Sequence, residues 1–134
     1  MTQDEKYPWP LFDGTVLARL LEDLDDNEGL WAVFIRNFVT QLPLRMKALT
    51  LSLTTGDMDG AINSALSLRT SCQMVGAERL AGLTLRIEDE LRALPDKTGP
   101  SPALPHLAAT HLAPLKACAE QTHRVLQDYL SQHP

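Results

Sequence analysis

Apolar positions in this chain recur at steps of three and four and do not alternate, so every long segment reads as an amphipathic helix. Val16, Leu17, Leu20, Leu21 and Leu24 mark a short helix over residues 15–24, which the acidic stretch from Asp25 to Gly29 closes. From Glu28 the stripe Leu30, Phe34, Phe38, Leu42, Met46, Leu49, Leu53 predicts one long helix that Thr55 and Gly56 end, with a kink expected at Pro43. Asp57 suits the N-cap of the next helix, about 58–75, which carries Met58, Ala61, Ala65, Leu68, Cys72 and Val75 on one face and Gly76 at its end. A helix over about 77–94 presents Leu80, Leu83, Ile87, Leu91 and Leu94 and stops at Pro95. The last, about 103–131, turns Leu104, Leu107, His111, Leu115, Cys118, Thr122, Val125 and Tyr129 inward, with a kink expected at Pro114.

Helices with short connections and no strand signal predict an all-α protein: an antiparallel four-helix bundle with a short additional N-terminal helix across one end. At 134 residues and 44% apolar, the chain fits one domain spanning 1–134. Residues 1–12 are expected to be a flexible lead-in, and the proline-rich stretch from Pro95 to Pro105 a loop. The longest apolar run, Leu30 to Ile35, falls far short of the roughly 20 residues of a membrane span. The N-terminus lacks the basic-then-apolar order of a signal peptide, so the expected setting is cytoplasmic and no membrane partner is expected.

The net charge of −5 is unevenly spread: residues 1–28 hold eight acids against Lys6 and Arg19, while the rest is close to balanced. No basic stripe is present, which argues against nucleic acid as a partner. Cys72 and Cys118 sit in apolar contexts without a C-x-x-C partner motif and read as small buried hydrophobes. The histidines His106, His111, His123 and His133 have no metal-ligand spacing, so neither metal nor cofactor is expected. His111 falls in an apolar stripe and reads as a core histidine, and the triplet Glu88, Asp89, Glu90 reads as a solvated helix face. No catalytic constellation stands out.

One segment says more: Ala65-Leu66-Ser67-Leu68-Arg69-Thr70-Ser71, with Gly76-Ala77 further on. It resembles the signature of histidine-containing phosphotransfer (HPt) domains, in which an alanine precedes the phosphorylated histidine, followed by any residue, leucine, a basic residue, glycine and serine. Phe38, Pro43 and Leu49 upstream, Gly56-Asp57 before the signature helix, and Leu80, Leu83 and Glu88 after it are similar to the family in the same order. The resemblance spans roughly residues 13–94 and implies a helical bundle working in two-component phosphorelay signalling.

The resemblance places Leu66 where the family has its histidine, and leucine has no nucleophile to accept a phosphoryl group. Thr70 stands in place of the glycine that keeps the approach open, and Arg69 keeps the cation that would neutralise the phosphoryl group. The expectation is therefore a pseudo-HPt domain and not an enzyme. At about 100° per residue, Leu66 lies roughly 130° from the centre of the apolar face of its helix, beside Ile62, Arg69, Thr70 and Gln73, with Asp59 at the edge. Ile62 and Leu66, joined by apolar residues of the first helix, are expected to form a docking patch rimmed by Arg69, Gln73 and Asp59. Its implied partner is a response-regulator receiver domain or a histidine kinase. The alternative is a homodimer through the same face. A third reading moves phosphorylation to His123, which lies beside Arg124 outside the stripe.

Overall fold

The computed structural model describes residues 7–95 and 101–132. Among the described residues all regular structure is helical: α1 (Gly14–Asp23), α2 (Glu28–Thr55), α3 (Met58–Val75), α4 (Glu78–Ala93) and α5 (Ala103–Gln132). Each of α2 to α5 packs against its neighbour in sequence, and α5 closes the bundle against α2. Between them lie Leu49, Leu53, Leu68, Leu80, Ile87 and Leu115, all essentially inaccessible to water. No described helix is long and apolar enough to cross a membrane.

The helix ends follow local chemistry. Asp13, Asn27 and Asp57 cap α1, α2 and α3, accepting from the amides of Thr15, Leu30 and Gly60 at 3.0, 3.1 and 3.0 Å. The Thr15 hydroxyl also donates to Asp13, and these bonds hold the Asp13 carboxyl below its ordinary pKa. Gly56 and Gly76 end α2 and α3 in the left-handed region. Helical backbone runs through both Pro43 and Pro114.

α1 lies across the end of the bundle where α3 finishes. The Asp13 amide donates to Gly76 O at 2.8 Å, and the Trp31 indole donates to Leu17 O at 2.9 Å. Phe12 meets Tyr129 edge-on at 5.1 Å between ring centroids.

Two stripes differ from their expected faces. In the first half of α2 the buried residues are Trp31, Ala32, Ile35, Phe38, Val39 and Leu42, while Leu30 is exposed and Phe34 half-buried. Steps of four overshoot a 3.6-residue turn by about 40° each, so a stripe begun at Leu30 starts off the core and reaches it only at Phe38 and Leu42. In α5, Ala108, Leu112, Ala119 and Leu126 are buried, whereas Leu107, His111, Val125 and Tyr129 sit at the margin. A strict seven-residue repeat likewise slips about 20° per heptad on a straight helix.

Residues 7–12 are not a free lead-in. Tyr7 and Trp9 pack along α4 and Phe12 against α5, with the Trp9 indole lying so close to Gly82 that a Cβ there would stand under 3.0 Å from the ring. Arg79 Nε donates to Trp9 O at 3.2 Å, and the Arg86 guanidinium covers the indole at 4.7 Å from its centroid. The first six residues of that expected lead-in lie outside the described residues, as does the 96–100 part of the expected loop. α5 begins at Ala103, inside that loop, and Ser101 N donates to Gly56 O at 3.1 Å.

Both cysteines are buried and free, as their contexts indicate. Burial raises both thiol pKa values, and the neighbouring Cys118 adds to the rise at Cys72. A thiol with a raised pKa is protonated at pH 8 and a poor nucleophile. In an Ellman titration at pH 8 neither thiol is expected to react until denaturant unfolds the bundle; fast reaction of the folded protein would contradict this burial.

Candidate functional site

The face of α3 away from the core is fixed by the face it buries. Ala61, Ala65, Leu68, Cys72 and Val75 are fully enclosed, which turns Leu66 outward, 42% exposed near the middle of the helix. Thr70 and Gln73 are exposed beside it, Asp59 is exposed toward the N-terminal end, and Ile62 is half-buried against the core. The Thr70 hydroxyl donates back to Leu66 O at 2.9 Å, one turn earlier, so its bonding is spent within the helix.

Arg69 is placed differently from the expected open cation. Its Nε pairs with Glu88 Oε2 on α4, and its guanidinium reaches Gln73 Oε1 at 3.5 Å. Glu88 is only 3% exposed and holds a second, longer pair with Arg92 at 3.6 Å; Arg92 also lies 3.6 Å from Asp89. The expected solvated triplet is thus corrected at Glu88. The signal was in the spacing, because Thr84, Ile87, Glu88 and Leu91 form one helical stripe and all four are buried. A carboxylate in that stripe needs a cation from the facing helix, and Arg69 supplies it.

The structure does not join α1 to Leu66 as the expected patch requires. α1 is fixed at Gly76, about 15 Å along the helix axis from Leu66 at 1.5 Å per residue. The apolar residue beside Leu66 is Ile62, one turn earlier on the same helix; the other exposed apolar surface of α3 lies toward the Gly76 end, where Met74, 57% exposed and about 12 Å along the axis, faces Phe34 on α2. Phe34 and Met74 line a shallow groove of about 190 Å³ between α2 and α3. Arg45 lies in that groove and donates to Ser67, the residue after Leu66. Spacing alone assigned Phe34 to the core and gave Met74 no role.

His111 is not a core histidine: its ring contacts Glu90 at the α4–α5 edge. His123 lies elsewhere again, half-buried in a groove between α2 and α5.

This bundle, with its short crossing helix and outward-facing signature helix, has a solved counterpart. It is similar to histidine-containing phosphotransfer protein B (HptB) from Pseudomonas aeruginosa PAO1, with a TM-score of 0.75 over 93% of this chain and 98% of that one. The fold is HPt-like. Sequence identity across this match is 21%. No protein-family model and no curated protein matches the sequence. Within the HPt-like bundle, the α3 face around Leu66 offers apolar surface and hydrogen-bonding groups but no imidazole.

Proposed function

We propose that this HPt-like chain is a phosphorelay module that docks a receiver domain or a histidine kinase without accepting phosphate. The observation that carries the reading is Leu66, an exposed leucine at mid-helix in the segment that resembles the phosphotransfer signature. Three features around it agree. Leucine cannot form a phosphoramidate. Arg69, the cation a phosphoryl group would need, already neutralises Glu88. Thr70 adds a side chain over the helix surface where the family pattern has glycine. What is left at the position is apolar contact surface, which suits occupancy of a partner and not chemistry on it. Such a module would sequester its partner or compete with a phosphate-accepting protein.

The test is calorimetric titration against purified receiver domains and histidine kinases of the source organism, with wild type and Leu66→Asp. At least one partner is expected to bind wild type, and Leu66→Asp should weaken it about thirty-fold or more, the loss typical of a central contact of at least about 2 kcal/mol. Circular dichroism should be unchanged, since Leu66 already faces water. A phosphorylated receiver is expected to leave no acid-labile phosphate on the chain. Equal affinity of the variant, or phosphate on His123, would overturn the reading. A sedimenting dimer that Leu66→Asp dissolves would favour self-association instead.

A further inference from the structure

The seam between α2 and α5, away from Leu66, carries a groove of about 350 Å³. Its floor is apolar: Leu42, Pro43 and Met46 from α2, with Ala119 from α5. Its rim carries Lys116 at one end, His123 and Arg124 at the other, and Glu120 between them. Lys116 and Arg124 are about 12 Å apart along the axis, so the groove has a cation at each end in a chain whose net charge is −5. Among the described residues no ion pair occupies Lys116 or Arg124. Farther along the same pair of helices, a separate cavity is lined by Val39, Leu130 and another cation, Arg36.

We infer that this groove binds an amphiphilic monoanion, a carboxylate carried on an apolar body. The volume falls in the range of about 300–1,000 Å³ usual for small-molecule sites. Arg124 offers the planar fork that matches a carboxylate, with the His123 ring alongside and Lys116 adding attraction at the far end. Leu42, Met46 and Ala119 take the apolar body. Glu120 supplies the selectivity: it disfavours polyanions, for which one carboxylate opposite would mean direct repulsion, and tolerates a single charge placed at the Arg124 end. This site is independent of docking at Leu66.

The test uses three probes: decanoate, 4-phenylbutyrate and decanol, titrated by NMR while following the Met46 and Ala119 methyl resonances. At least one of the two anions is expected to bind ten-fold or more tightly than decanol. Which anion is tighter distinguishes an acyl-chain ligand from an aromatic one. Lys116→Glu/Arg124→Glu, with both changes at exposed positions, should cost about ten-fold or more in anion affinity and leave decanol unchanged. Equal binding of decanoate and decanol, an unaffected double variant, largest shifts away from the groove, or no saturation by either anion at about 1 mM would each overturn the assignment.

Discussion

Replacing Gly76 with alanine is expected to lower the stability of the bundle by about 3 kcal/mol and to release α1 before the rest unfolds. Two costs add. Gly76 has φ +84°, and a side chain in the left-handed region costs about 1–2 kcal/mol. The larger cost is contact: a Cβ there would stand under 3.0 Å from Asp13 O and 3.1 Å from the Val16 Cβ. The oxygen is backbone and cannot rotate away, so Asp13 must retreat and its 2.8 Å bond to Gly76 O is lost. Chemical denaturation gives the magnitude. The Trp31 indole bonded to Leu17 O provides a fluorescence signal for α1 leaving. Gly76→Asn separates the costs, because asparagine tolerates left-handed backbone but still carries a Cβ. It should be nearly as damaging as alanine. A variant as stable as wild type would show that the α1 contact yields freely.

Glycine positions illustrate what was legible in the sequence. Gly76 could be read as a helix end from its place after Val75, because the need for a left-handed residue there is local. That the same glycine also receives α1 is a tertiary fact with no local signature. The helices themselves were legible because each buries a stripe, and the stripe repeats at the helical period. Their faces were legible only where hydrophobes are scarce. In α3, Ala61, Ala65, Leu68, Cys72 and Val75 form the one continuous apolar arc, and its outward side follows by geometry. In the first half of α2, Leu30, Trp31, Val33, Phe34 and Ile35 crowd together, so several stripes fit the pattern and only packing against α1, α3 and α5 selects among them. Residues 7–12 fail for a related reason: Tyr-Pro-Trp-Pro has no periodicity, and its partner is a bare glycine surface on α4.

The site was half legible in the same sense. Exposure of Leu66 is a property of one helix and was derivable from spacing. The state of Arg69 is a property of two helices: α4 decides whether that guanidinium is open or occupied. Nothing in the α3 sequence reports the carboxylate opposite. Similarly, the groove holding His123 exists because α5 lies against Pro43 and Met46, residues more than 70 positions away.

Removing the Glu88 carboxylate is the change expected to disturb this site most. Glu88→Ala should destabilise the protein by about 2–3 kcal/mol, which for a domain of this size is a fall in Tm of roughly 8–12 °C. Breaking one side of a buried ion pair typically costs about 3–5 kcal/mol; the smaller figure applies because the Arg69 side chain is 19% exposed and can draw some water. The loss has two parts, an unpaired guanidinium against α4 and a cavity where the Glu88 side chain lay. Arg69→Met/Glu88→Leu removes both charges and refills the space, and should recover most of the stability, since the interior needs the pair matched and not charged. The double-mutant cycle of Arg69→Met and Glu88→Leu should then give a coupling of at least about 1 kcal/mol. A coupling near zero would mean that the pair is incidental and that Arg69 is free to meet an anion after all. The same variants separate architecture from docking. If apolar contact at Leu66 drives partner binding, the refilled double variant keeps its affinity; if Arg69 itself grips the partner, affinity falls while stability holds.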